Sequence, residues 1–168
     1  TRPNFGIFVE RQTAALASRP GVAVRVVAPI GLPVWPLARS ARLRAQAALP
    51  LRENWAGLDV SRPRFVTIPG TGGRFHVPAL IRALIPVLDR LYDEARFDVI
   101  DASFFFPDGP AAVALGRRYG VPVSIKARGA DIHLWGRAPA TRHQVARAAM
   151  QADGLLAVSD AMADDVAA

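Results

Sequence analysis

FDVIDASFFFPDGPAAVALGRRYGVPVSIKARGADIH, residues 97–133, decides the fold. Phe97 to Ala102 and Val121 to Lys126 are short apolar runs rich in β-branched residues, which is the composition of buried parallel strands. Between them the helix signals agree: Asp108 stands where a cap belongs, Pro110 suits the first turn, Arg117 and Arg118 suit the last turn, and Gly120 stops the helix. Strand, helix and strand in this order form a parallel crossover unit. The second strand runs out into a polar, glycine-containing loop, ARGADIH at 127–133. Open α/β sheets bind ligands at the carboxyl ends of their strands. That loop is therefore the expected functional edge.

Upstream, a helix is predicted from Gly6 to Ser18, with Phe5, Phe8, Val9 and Leu16 at helical spacing and Asn4 as its cap. Val22 to Ala28 reads as a strand closed by Pro29 and Gly31. Residues 31–64 hold four prolines and six arginines without clean periodicity, and read as a long surface excursion in which Leu37 to Leu49 form a short basic amphipathic helix. Arg64 to Ile68 is a strand, and Gly70, Gly72 and Gly73 make a turn. The helix that follows carries Leu80, Ile81, Leu84, Ile85, Leu88 and Leu91 on one face. Pro86 predicts a break near Leu84 or Ile85, because proline removes a backbone donor. Downstream, Thr141-Arg142-His143-Gln144 reads as a capping box opening a helix to Ala152. Gly154 to Val158 reads as a strand, and Ser159 caps a last helix.

The expected fold class is α/β: one domain over 1–168, a Rossmann-like parallel sheet with helices on both faces. The alternation starts on a helix and stops inside one. The sheet is accordingly expected to be incomplete, with its first strand absent.

The composition narrows the function classes. With 168 residues the chain buries a real core without a metal or disulfide staple. Hydrophobic residues are 51% and charged residues 21%, and no run reaches the about 18 apolar residues of a membrane span. There is no cysteine, which excludes disulfides, thiolate metal sites and cysteine nucleophiles. Net charge is +7, with 20 arginines and Lys126 as the one lysine. Arginine pairs bidentately with phosphate, yet an arginine- and alanine-rich chain also reflects GC-rich coding, so charge by itself nominates no partner. Cytoplasm is the expected location.

The candidate chemistry is concentrated in few places. ARGADIH and the residue before it bring Lys126, Arg128, Asp131 and His133 to a strand end, where a carboxylate and an imidazole orient hydroxyls or move protons and an arginine neutralises phosphate. The same residues in a solvated turn would make only a local Arg–Asp pair. Asp98 and Asp101, three residues apart in a strand, point to opposite faces and are not a catalytic pair. Asp98 reads as a turn residue, while Asp101 is a candidate for the cleft. Phe104, Phe105 and Phe106 form either an apolar wall for a ligand or core packing. Arg2-Pro3-Asn4-Phe5-Gly6 is a loop entering a helix, a candidate anion site. No metal-ligand spacing, GxSxG elbow or P-loop occurs.

PNFGIFVERQTAALA at 3–17, FDVIDASFFFPDGPAAVAL at 97–115, VPVSIKARGADIHL at 121–134 and ADGLLAVSDAMADDV at 152–166 together resemble the amino-terminal, acceptor-side domain of family 4 glycosyltransferases with the GT-B architecture. The resemblance implies transfer of a sugar, with retained anomeric configuration and no required metal or other cofactor, from a nucleotide-sugar donor across a cleft between two such domains. It implies that Gly6 lies near the donor phosphates, that Arg128, Gly129 and Asp131 match the family's His-Gly-x-Asp segment at the cleft, and that Ser159 starts the helix nearing the interdomain side. Arg128 and Asp131 are thus the candidate catalytic residues, and Gly6, Gly129 and Ser159 the candidate donor-binding ones. Arg128 stands where many relatives have histidine, so an imidazole-based role does not carry over. The family's first strand is expected before Thr1 and its donor domain after Ala168, which implies that this piece alone is inactive.

The resemblance therefore implies a bacterial, retaining glycosyltransferase domain acting on a glycan or lipid-linked acceptor, and the arginines between 39 and 64 suit either a phosphorylated acceptor or peripheral contact with an anionic membrane surface. The main rival is a non-catalytic binding or scaffold module of the same fold. A receiver-like phosphorylation domain lacks its acidic pair. Nucleic acid is not expected as a partner, because the basic residues are not interleaved with aromatics along one element.

Overall fold

A computed structural model describes residues 7–34, 40–129 and 131–167. The chain runs α1 (Ile7–Ala17), β1 (Arg25–Val27), β2 (Ile30–Pro33), α2 (Ala41–Ala48), β3 (Arg52–Trp55), β4 (Leu58–Ser61), β5 (Arg64–Thr67), α3 (His76–Glu94), β6 (Ile100–Ala102), α4 (Asp108–Tyr119), β7 (Val123–Ala127), a π-helical turn (Asp131–Trp135), α5 (Arg142–Gln151), β8 (Gly154–Ala157) and α6 (Asp160–Ala167). This is an α/β domain with parallel strands flanked by helices. Asn4 and Phe5, expected to cap and extend the first helix, lie outside the described residues, as do Leu37 to Arg39 of the basic helix.

The strands form two groups. β6, β7 and β8 are parallel and adjacent in that order, with Asp101 opposite Ser124 and Lys126 opposite Leu156. In the other group β1 pairs with β4 and β2 with β5, both parallel and in one register, Arg25 opposite Asp59 and Ile30 opposite Arg64. Pro29 and Pro63 bring no N–H to this ladder. It is carried across them by Ala28 N–H donating to Ser61 O at 2.8 Å and Ile30 N–H to Pro63 O at 2.9 Å. Among the described residues, no strand pairs with the other edge of β1 or of β6. The described strands thus fall into separate parallel sets rather than one continuous sheet.

One core joins the halves. Leu80, Leu84, Leu88 and Leu91 of α3 bury the expected apolar stripe with Ala111, Ala112 and Leu115 of α4 and Val123 and Ile125 of β7, while Val27 of β1 and Phe65 of β5 pack against the same cluster. α4 lies so close to β7 that a Cβ on Gly116 would meet Val123 Cγ2 at 2.3 Å and the Val121 carbonyl at 2.9 Å. Gly120 takes the left-handed conformation (φ 68°) that ends α4. No described helix is long and apolar enough to cross a membrane.

Four expectations are corrected. Pro86 does not break α3, which is continuous over 19 residues. Pro86 and Arg82, whose carbonyl loses its donor, are both on the exposed side, where water replaces the missing bond. Residues 31–64 are not a bare excursion: β2, a hairpin of β3 and β4, and the start of β5 lie within them. The hairpin turn is Ala56-Gly57 with φ of 50° and 82°, a geometry normally signalled by Asn-Gly or Asp-Gly. Asp108 is the first helical residue rather than the cap, a position held by Pro107 without a side-chain bond. The Thr141–Gln144 capping box does not form, because the Thr141 hydroxyl donates to the Trp135 carbonyl at 2.6 Å, closing the π-turn, and Gln144 donates to Ala140 O. Ser159 does cap α6, its Oγ accepting from Met162 N–H at 3.3 Å.

These contacts fix two stability outcomes. Gly116→Ala is expected to lower unfolding free energy by about 1–3 kcal/mol through overpacking against β7. Ala56→Gly is expected to raise it by about 1 kcal/mol by relieving a left-handed alanine. Urea unfolding followed by circular dichroism measures both.

Candidate functional site

The carboxyl ends of β6 and β7 are tied together by one side chain. Asp131 is 4% exposed, and its carboxylate accepts from three backbone N–H groups: Phe105 at 2.8 Å, Gly129 at 2.8 Å and Arg128 at 3.1 Å. Phe105 leaves β6 and is itself fully buried, so the carboxylate links the loop after β6 to the loop after β7. Gly129 has φ of +127°, a region closed to side chains, and its carbonyl accepts from Ile132 and His133 N–H at 2.9 Å each. Its N–H is committed to Asp131, so what it offers a ligand is close backbone approach rather than a donor.

Arg128 forms the outer wall. Its Nε donates to Ser103 O at 2.7 Å, its Nη2 donates to Gln12 Oε1 of α1 at 2.8 Å, and the guanidinium lies 5.7 Å from the Phe104 ring centroid. One guanidinium nitrogen, Nη1, is left without a partner among the described residues. The aromatic run divides accordingly: Phe105 and Phe106 are core, while Phe104 is exposed beneath the arginine.

The other residues of the predicted cluster do not converge. Lys126 points onto a sheet face, where it is buried and forms an ion pair with Asp101, whose other oxygen accepts from the Ser124 hydroxyl. Asp101 is thereby neutralised on that face. His133 faces outward, with Nε2 3.7 Å from Asp165. Asp98 lies in a bend before β6. Ser159 is exposed at the start of α6, and the same helix sets Met162 Cε 4.0 Å from the place a Cβ on Gly129 would occupy. Gly6 lies outside the described residues. No group of three His, Asp or Glu among the described residues is placed to hold a metal ion.

Sequence reasoning missed Asp108. At the first position of α4, beside Asp131, its carboxyl is pushed up to about 6 by burial and, secondarily, by the Asp131 charge. The one sequence signal was an aspartate one residue beyond a proline, which looks the same whether it caps a helix or begins one. His76 was also missed. It packs among Phe65, Phe106 and Trp135 with ring centroids 5.9–6.3 Å away, and burial lowers its pKa. A Cβ on Gly73 (φ +84°) would meet Trp135 at 2.7 Å, so the glycine turn closes over this aromatic cluster.

The two shifts act oppositely on stability. Asp108 is protonated in both states below its ordinary value of 3.8; between 3.8 and about 6 the folded state keeps a proton that the unfolded state has released. Its contribution is therefore complete below 3.8 and lost as pH rises through about 6. His76 resists protonation when folded, so its contribution is present above its ordinary 6.5 and lost as pH falls below it. Asp108→Asn is expected to match the wild type below pH 3.8 and to exceed it by at most about 3 kcal/mol above pH 6. Denaturant titrations across that range, compared between the two proteins, measure the difference.

Among known proteins, a search of the curated set finds no match. The family model described as Glycosyltransferase Family 4 matches residues 6–168, nearly the whole chain and every element built around Asp131. The chain belongs to glycosyltransferase family 4.

Proposed function

We propose that this domain is the amino-terminal, acceptor-side half of a retaining glycosyltransferase that moves a sugar from a nucleotide-sugar donor to a lipid-linked or polysaccharide acceptor. The reading takes the reaction to be independent of metal and other cofactors and to run in the cytoplasm, at the inner face of the membrane where the acceptor is lipid-linked. The observation that carries it is the Arg128 guanidinium, fixed at the carboxyl ends of the parallel strands by Ser103 and Gln12 with one nitrogen lacking a partner among the described residues.

A developing negative charge on a leaving diphosphate, or a phosphate on the acceptor, is stabilised by a cation that needs no reorganisation when the charge appears. Arg128 is held in that way. Asp131 then acts as a positioning residue: its oxygens are taken by backbone N–H groups, and it works by fixing the loop that carries Arg128. Gly129 permits close approach of the donor, Ser159 retains a hydroxyl hydrogen to donate, and Gly6 immediately precedes in sequence α1, whose Gln12 touches Arg128. The opposing half of the cleft, with the main donor contacts, belongs to a second domain. On this reading turnover needs both halves of the cleft.

The enzyme as its gene encodes it, assayed with a panel of nucleotide sugars, tests the proposal. Arg128→Ala is expected to lower kcat/KM by about a hundredfold or more, with Arg128→Lys recovering part of it. Asp131→Asn is expected to lower kcat/KM and also Tm, since a backbone cage built for an anion loses its charge. Unchanged turnover in Arg128→Ala and Asp131→Asn would remove the loop from the site. Donor binding without transfer by the wild type would favour the scaffold reading instead.

A further inference from the structure

The segment between β2 and β5 is exposed along most of its length. From Ser40 to Gly57 only Leu43, Gln46 and Glu53 are even half-buried. Three large apolar residues stand in water there: Leu49, Leu51 at 62% exposure and Trp55 at 53%. Around them are the exposed arginines Arg42, Arg44 and Arg52. From Ser40 to Arg64 the sequence has five arginines against Glu53 and Asp59, and Glu53 is already paired with Arg62.

The segment is nevertheless ordered. Ser40 caps α2 by accepting from Leu43 N–H at 3.2 Å. Arg64 donates to the carbonyls of Ala47, at 3.1 Å, and Leu49, pinning the end of α2. Arg62 N–H donates to Leu51 O at 2.7 Å, fixing the entry to the β3–β4 hairpin. Trp55 sits at the hairpin tip opposite Leu58, one residue before the Ala56-Gly57 turn. Exposed leucines and a tryptophan are thus held in place among cations on a short, fixed excursion, at the cost of apolar area left in water.

We infer that α2 and the β3–β4 hairpin dock on an anionic lipid surface, with Trp55, Leu51 and Leu49 entering the interface and Arg42, Arg44 and Arg52 meeting acidic headgroups. Tryptophan favours the boundary between headgroups and acyl chains, leucine partitions below it, and cations gain from the negative surface potential. With no described helix able to cross a bilayer, the contact is peripheral. A single bound phosphate would want arginines converging on one point, whereas these are spread along α2 and β3. Nucleic acid would make no use of the exposed leucines. The inference is independent of the glycosyl-transfer reading.

Co-sedimentation with vesicles tests it. The protein is expected to sediment with phosphatidylglycerol–phosphatidylcholine vesicles at low salt, not with phosphatidylcholine alone, and to be released near 1 M salt, where the screening length is about 3 Å. Arg42→Gln, Arg44→Gln and Arg52→Gln together are expected to lower partitioning about a hundredfold. Brominated acyl chains are expected to quench tryptophan emission in the wild type and much less in Trp55→Phe. Circular dichroism and Tm confirm that each variant folds, and the salt titration of the wild type does not depend on any variant. Equal sedimentation with neutral vesicles, unchanged partitioning of the arginine variant, or no quenching would overturn the proposal. So would an absence of vesicle binding alongside tight binding of a short oligonucleotide that the arginine substitutions abolish.

Discussion

One buried carboxylate holding three backbone N–H groups is the constraint on which the site depends. Two neighbouring strands of one half of the sheet, β6 and β7, each run out into a loop at the carboxyl end. Asp131 fastens the loop after β6 at Phe105 to the loop after β7 at Arg128 and Gly129. Hydrogen bonds to an ionised acceptor are about twice as strong as neutral ones, and burial keeps water from competing for them. Phe105, fully enclosed in the core, anchors one end of this link. Arg128 inherits its position from the other end and extends it to α1 through Gln12. A helix that buries no residue of its own is in this way connected to the strand ends.

The parts of the fold that were legible in the sequence were those specified by neighbours along the chain. α4 was read from a proline suited to its first turn, two basic residues in its last turn and a glycine whose left-handed φ ends it, although Asp108 begins the helix rather than capping it. Each of those signals lies within one helix and is reinforced by the others. The misreadings all involve a partner elsewhere or a residue in an unusual role. The β3–β4 hairpin turns on an alanine at positive φ, which carries no compositional mark of a turn. Thr141 has the spacing of a capping box, but its hydroxyl is drawn to the Trp135 carbonyl by tertiary packing. Pro86 falls on the solvent side of α3, where its missing donor does no harm, and only the burial pattern reveals that.

The site divides along the same line. ARGADIH was identified as the functional edge because an apolar strand ended in polar residues at the carboxyl side of a parallel sheet, a rule about topology that needs no side-chain coordinates. What the individual residues do could not be read in this way. Lys126 and Asp131 are five positions apart in sequence, yet one sits on a sheet face against Asp101 and the other folds back beneath the loop. Asp108 acquires its shifted proton affinity first from burial and then from a carboxylate 23 positions downstream, and neither is visible in its sequence neighbours. Alternation along a strand and the path of a loop after it determine which way a charge faces, and loops have no period to read.

The arginine excess resolves in a similar way. Arg25 donates to the Leu91 carbonyl in the last turn of α3, and Arg64 to carbonyls at the end of α2. Arg62 pairs with Glu53 and Arg118 with Asp89. Helix ends leave carbonyls without intrahelical donors, and a long guanidinium reaches them where a shorter side chain cannot. Arginines spent in this way contribute to net charge without forming a binding surface. Other arginines present their charge: Arg128, with one guanidinium nitrogen lacking a partner among the described residues, at the strand ends, the exposed arginines of α2 and β3 around Trp55, and scattered ones such as Arg74, Arg117 and Arg147. Net charge by itself nominated no partner because it sums structural arginines with presenting ones, and only their separation in space shows where an anion has something to meet.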